Sequence, residues 1–225
     1  MELYHVLNRG TEKRAIFMDD RDRARFVHDM FEFNDTRPAR NVSHSFKKAI
    51  DIMDVGHPYI ERERIVDLHG WCLMRNHYHL LLSERKEGGI TTFMRKLNTG
   101  YTNYFNTRYK RSGVLFQGKT KKVLIHSSAH FLHILHYIHL NPLDYVARAR
   151  EWRTRRVSEP EKAKVYLEKY RWSSYGDYCN RPNFPSILTT DFFKDSIGNI
   201  EKETMGYLEK PRTAFEDMVP ARFLE

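Results

Sequence analysis

Two apolar runs, Arg64–Leu73 (RIVDLHGWCL) and His77-Tyr78-His79 continuing into Leu80-Leu81-Leu82, lie either side of Met74-Arg75-Asn76. Both runs suit strands, and so short a connection turns the chain into an antiparallel hairpin. Side chains alternate along a strand, so His77 and His79 project to one face of the sheet. A pair of imidazoles on one face supplies half of a metal site.

The flanking segments fill in the fold. Leu3 to Leu7 predicts a first strand, with a turn at Asn8-Arg9-Gly10. Asp19-Asp20 begins an acidic-capped helix to about Phe33, with Phe26, Met30 and Phe33 at helical spacing. Residues 34–63 have weak periodicity and two prolines, so they read as an insertion with one short helix near Phe46 to Met53. Gly88-Gly89 opens a helix from about Ile90 to Tyr109. Lys119 to Ile125 predicts a fourth strand, and Ser127-Ser128 caps a helix that ends near Leu140, before Pro142. The order β-α-β-β-α-β followed by a helix predicts an α+β, ferredoxin-like core with an antiparallel sheet. Residues 1–150 then form one domain with its insertion. Residues 151–225 form a C-terminal extension that packs on the core or contacts DNA, and TRRVSEPEKAK within it reads as a solvated link.

Charge narrows the partner. The 38 Lys+Arg exceed the 29 Asp+Glu by nine, and a pI near 9.5 favours a polyanion, nucleic acid first. No run approaches the ~18 apolar residues of a spanning helix. Glu2, His5 and Arg9 interrupt the first ten residues, which argues against a signal peptide. The two cysteines match neither a disulfide framework nor a metal spacing. A soluble protein of a reducing cytoplasm, with no membrane partner, is the expectation.

In the helix AHFLHILHYIHLNP, His130, His133, Tyr137 and Asn141 fall at i, i+3, i+7 and i+11, while Phe131, Leu132, Leu135 and Ile138 are available for packing. One reading makes this face reactive, with the Asn141 amide oxygen as a metal ligand and the Tyr137 phenol beside it. The other makes Tyr137 a buried, hydrogen-bonded tyrosine and Asn141 a cap before Pro142. Two imidazoles and an amide oxygen leave open positions on Mg²⁺ or Mn²⁺ for a phosphate oxygen. A phenol with a pKa of about 10 becomes an effective nucleophile once placed in line with an activated phosphorus. Tyr101 and Tyr104 also follow the histidine pair on a helix, but they continue its apolar stripe with Phe93, Leu97 and Phe105, so core packing or base stacking is their simpler role. Trp71, Trp152 and Trp172 read as packing residues.

The segments NHYHLLL, NTGYTNYFNTRYKRSGVLFQGKTKKVLI and HYIHLNPL, in that order, resemble the single-tyrosine HUH transposases. RSGVLFQGK and YIHLNP, with YHVLNRGTEKRAIFMDDRDRARF and YRWSSYGDY, are similar to the REP-associated tyrosine transposase branch. The resemblance spans residues 3 to about 180, apart from the insertion. It implies a ferredoxin-like nuclease that cleaves single-stranded DNA beside a hairpin, joins tyrosine to the 5′ phosphate and keeps the bond energy for rejoining. By motif position His77 and His79 become metal ligands, Tyr137 the nucleophile, and Asn141 takes the place of the glutamine ligand of insertion-sequence relatives. Arg75 stands where those relatives carry proline. The resemblance implies Mg²⁺ or Mn²⁺, a prokaryotic, nucleoid-associated setting, and action as a monomer or a homodimer.

Lys96, Arg108, Lys110, Arg111, Lys119, Lys121 and Lys122, interleaved with Tyr104, Tyr109 and Phe116, suit a groove that tracks phosphates and stacks bases, and Arg9 and Arg14 extend it. Two other classes fit the same residues: a nucleic-acid-binding protein without catalysis, and a metal-dependent nuclease in which water attacks and Tyr137 is structural. A covalent protein–DNA adduct separates the first reading from both.

Overall fold

The computed structural model describes residues 1–39, 62–125, 128–154, 157–191, 193 and 198–209. The short helix expected near Phe46 to Met53 lies outside them.

Four strands, β1 (Leu3–Arg9), β2 (Val66–Met74), β3 (His77–Glu84) and β4 (Lys121–Leu124), form one antiparallel sheet in the order β2-β3-β1-β4. With α1 (Asp20–Glu32) between β1 and β2, and α2 (Gly89–Arg108) between β3 and β4, this is the expected ferredoxin-like arrangement. β1 runs two residues past its expected end, so Arg9 pairs with His77 and Leu7 with His79. β4 is shorter than expected and begins at Lys121.

The β2–β3 hairpin closes with Arg75 where the resemblance led to an expectation of proline. Arg75 and Asn76 form the turn, and their carbonyls accept from Ile16 N, Phe17 N and Gly10 N. The Arg75 N–H, a donor that proline lacks, donates to the Tyr145 hydroxyl at 2.6 Å. The ends of the insertion are held together: Asn34 Oδ1 accepts from Ile65 N and Val66 N, each at 3.0 Å, and Asn34 Nδ2 donates to the Val66 carbonyl at 2.9 Å.

Alternation along β3 separates two cores. Tyr78, Leu80 and Leu82 face α1 and α2, in a cluster with Phe26, Phe93, Leu97, Tyr101 and Phe105. On the opposite face, Leu81 of β3 with Cys72 and Met74 of β2 meet α3 (Ser128–Leu140), which contributes Ile134, Leu135, Tyr137 and Ile138. Gly70 of β2 permits this approach, because a Cβ there would lie 2.7 Å from Leu135 Cδ1.

Residues beyond Glu151 complete the second core. The stretch TRRVSEPEKAK, expected to be a solvated link, instead enters α4 (Pro160–Lys169) at Pro160, with proline in the helix's first turn, where the missing N–H costs nothing. Its buried Ala163 and Leu167, four residues apart, join Trp152, Tyr175 and Tyr178, and Ile200 and Leu208 of the last described helix (Ile200–Glu209). Full burial of a large apolar side chain is worth about 1.5–3 kcal/mol, which decides packing over solvation for this segment. No described helix is long and apolar enough to cross a membrane.

Candidate active site

Because β3 and β1 are the inner strands, their side chains stand on the best-supported part of the sheet, and α3 crosses that face from above. The three elements enclose a cavity of about 360 Å³, lined by His77 and His79 from β3, Arg9 from β1, Tyr137 from α3 and Asn141 just beyond it. The residues expected from HYH and HYIHLNP are thus brought together. The His77 and His79 rings are 4.9 Å apart and perpendicular, and the Tyr137 ring lies 5.7 Å from that of His79, also edge-on.

Hydrogen bonds orient both imidazoles. Asn76 Nδ2 donates to the Lys13 carbonyl at 3.2 Å, which leaves Asn76 Oδ1 to accept from His77 Nδ1 at 2.7 Å. His77 therefore carries its proton on Nδ1 and a lone pair on Nε2. His79 Nδ1 is 2.9 Å from Nε2 of His5, on the neighbouring strand. His79 Nε2 is buried and has no hydrogen-bond partner. Burial pushes the His77 pKa down to about 4 and that of His79 well below the ordinary range, with the His77 and His5 rings adding to the effect on His79. Both are neutral at physiological pH, the form that binds metals.

Asn141 follows the last turn of α3. Its Nδ2 donates to the Tyr137 carbonyl at 2.7 Å, capping the helix as the simpler reading expected, and its Oδ1 accepts from Arg153 Nη2 at 3.2 Å. Arg153 also pairs through both nitrogens with Asp144, at 2.5 and 2.9 Å, and lies over the rings of Trp152 and Tyr137. Tyr137 is 2% exposed and packs against Trp152.

The residue types suit a divalent cation. Two neutral imidazoles and an amide oxygen line the cavity, and the unpartnered His79 Nε2 is a buried polar atom that needs an occupant. Among the described residues no three His, Cys, Asp or Glu side chains are grouped as a metal set, so Asn141 or an oxygen from outside the chain completes any coordination here.

The rival tyrosines lie on the other face of the sheet. Tyr101 Oη donates to the Ile16 carbonyl at 2.6 Å and Tyr104 Oη to Asp22 at 2.9 Å, both within the α1–α2 layer. His133 faces Tyr207 of the last described helix, and the His130 side chain lies outside those described.

The expected basic set divides. Arg9, Lys119 and Lys121 line the cavity, together with Lys13 and Gln117, and Arg9 Nε donates to Gln117 Oε1 at 2.8 Å. Arg108 is committed elsewhere, in ion pairs with Asp19 and Asp22 at 2.5 Å. The Lys96 ammonium donates to the Asp35 carbonyl at 2.6 Å, and Lys122 pairs with Glu84 at 3.6 Å. Arg14, Lys110 and Arg111 lie outside the cavity wall, and Arg111 Nη2 donates to the Val114 carbonyl. His5, Lys13, Gln117, Asp144 and Arg153 were missed in the sequence. The one local signal was His5 itself, an imidazole within the apolar stretch Leu3–Leu7.

Residues 44–141, which contain His77, His79, Tyr137 and Asn141, match the family model described as Transposase IS200 like. No curated protein sequence matches the chain. Among solved structures it is similar to a REP-associated tyrosine transposase bound to a REP hairpin, at 12% identity over 84% of this chain and 86% of that chain, with a TM-score of 0.44.

Proposed function

Taking residues 44–141 as an IS200-like transposase domain, we propose that the chain nicks and rejoins single-stranded DNA beside hairpins through a 5′-phosphotyrosine intermediate. One observation carries the reading: the cavity that brings Tyr137 to the His77–His79 pair is rimmed by Arg9, Lys13, Lys119 and Lys121. A cavity of this charge suits a phosphodiester, and the hairpin substrate follows from the motif resemblance.

In the proposed reaction Tyr137 Oη attacks the scissile phosphorus. The new Oη–P bond forms as the bond to the 3′ oxygen breaks, the phenol proton passes to solvent, and the departing oxygen takes up a proton as a 3′ hydroxyl. An incoming 3′ hydroxyl reverses these steps and joins the strands. His77, His79 and Asn141 would hold Mg²⁺ or Mn²⁺, which supplies charge withdrawal from a non-bridging phosphate oxygen when bound. Arg153, beside the Tyr137 ring, offsets charge gathering on the phenol oxygen as its proton leaves. The lysines of the rim hold the flanking phosphates, so attack occurs from a fixed geometry.

The test uses the full chain, Mg²⁺ or Mn²⁺, and hairpin-bearing oligonucleotides labelled on the strand 3′ of the nick. A denaturation-resistant adduct on gels, lost in Tyr137→Phe with DNA binding retained, is the expected result. Cleavage without an adduct makes the chain a hydrolase, and binding without cleavage makes it a binding module.

A further inference from the structure

We infer that His5 is a positioning residue for the metal site, the acceptor that holds His79 with its proton on Nδ1 and its Nε2 lone pair turned into the cavity. The inference rests on the proposed use of His79 as a metal ligand, but concerns a residue outside the HYH and HYIHLNP motifs.

The geometry is specific. His79 lies opposite Leu7 in the β1–β3 register, and His5, two residues before Leu7, projects to the same face of the sheet. The two ring planes are nearly parallel, inclined by 17° with centroids 5.1 Å apart, and His5 Nε2 lies 2.9 Å from His79 Nδ1. Both side chains are buried, at 0% and 2% exposure. Water therefore cannot substitute easily if the pairing is lost.

A neutral imidazole has one N–H and one lone pair, so the proton in this pair dictates what His79 offers at its other nitrogen. If His5 donates, His79 accepts at Nδ1 and its proton sits on Nε2, a buried N–H that cannot ligate a cation. If His79 donates, its Nε2 becomes a lone pair facing the cavity, and His5 accepts at Nε2 with its own proton on Nδ1. Only the second arrangement converts the unpartnered Nε2 into a ligand. Acceptors behind metal-binding histidines fix tautomer and ring direction in this way, and their loss typically weakens metal binding 10–100-fold.

The test measures Mn²⁺ binding to the full chain by calorimetry and EPR, and the His79 tautomer by long-range ¹H–¹⁵N NMR of the metal-free protein. The wild type should show the Nδ1–H form of His79. His5→Phe, which keeps an apolar ring but removes the acceptor, should weaken Mn²⁺ binding about 10–100-fold and shift His79 toward the Nε2–H form. His5→Gln, whose amide oxygen can accept, should recover part of the affinity. A wild-type Nε2–H tautomer overturns the inference, as does undiminished Mn²⁺ affinity in folded His5→Phe. Should His5→Phe fail to fold, His5→Gln and the wild-type tautomer decide. Wild-type Mn²⁺ binding in His77→Ala and His79→Ala overturns the metal reading itself, which separates the two failures.

Discussion

The guanidinium of Arg153 donates from Nη2 to Oδ1 of Asn141 at 3.2 Å, so the amide oxygen proposed as a metal ligand already faces a positive charge. A divalent cation bound there must coexist with that charge. Arg153→Gln removes the repulsion and leaves Asp144 without its counter-ion. Mn²⁺ affinity measured by calorimetry should rise on the order of tenfold at low ionic strength, and the gain should shrink as salt is added. An unchanged affinity would place the metal away from Asn141.

Tyrosine substitutions on the two faces of the sheet should behave differently. Tyr101→Phe should leave adduct formation intact but cost about 1–3 kcal/mol of stability in urea unfolding, because the buried Ile16 carbonyl loses its donor at 2.6 Å. Tyr137→Phe should abolish the adduct. The reverse pattern in gel assays would move the nucleophile to α2.

Gly70 should control how closely α3 approaches the sheet. Gly70→Val would drive a side chain into Leu135 and lift the helix that carries Tyr137, costing about 1–3 kcal/mol as overpacking. Thermal unfolding and adduct yield should fall together, and adding Leu135→Ala should restore part of both. Full adduct yield in Gly70→Val would show that the Tyr137 position tolerates a displaced α3.

Acid should destabilise the protein through buried neutral histidines away from the cavity. Burial pushes the His139 pKa down to about 3, and it lowers that of His69. Below the unfolded value of about 6.5, the unfolded chain takes up protons that these folded sites refuse, so stability falls as pH drops below 6.5 and the His139 contribution levels off only near 3. Each such group contributes up to about 1.4 kcal/mol per pH unit within its window. His139→Asn should flatten the plot of urea-unfolding free energy against pH by about that slope between pH 6 and 4, whereas an unaltered slope would mean that His139 titrates normally.

Salt dependence should distinguish cavity lysines from structural arginines. Single-strand binding should follow a log–log slope of roughly −0.7 per phosphate contacted. Lys119→Gln with Lys121→Gln should flatten it by about 1.4, two contacts' worth, and weaken all sequences about equally. Arg108→Gln should lower stability through loss of the Asp19 and Asp22 pairs and leave the slope unchanged. Fluorescence anisotropy across a salt series checks both, and the opposite assignment would put the strand on the α2 side.

The sequence alone determined the β2–β3 hairpin, the shared face of His77 and His79, the element order, and the presence of Tyr137 and Asn141 near the end of one helix. These follow from local rules, the period of two in strands and of 3.6 in helices, together with breakers such as Pro142. Composition also marked the chain as basic, but could not say where each cation would stand. Arg108 and Lys122 have acidic partners, whereas Arg9, Lys119 and Lys121 line the cavity, a division set by which elements pack together. The burial of Ala163, at the end of a stretch that reads as solvated, and of Leu167 just beyond it was equally hidden, since two apolar residues four apart declare no face until a second core exists to receive them. His5 reaches His79 across 74 positions, and Arg153 reaches Asn141 from beyond the helix. Only strand register and the docking of the C-terminal extension could bring those pairs together, because hydrogen bonds between distant segments leave no periodic trace in the chain.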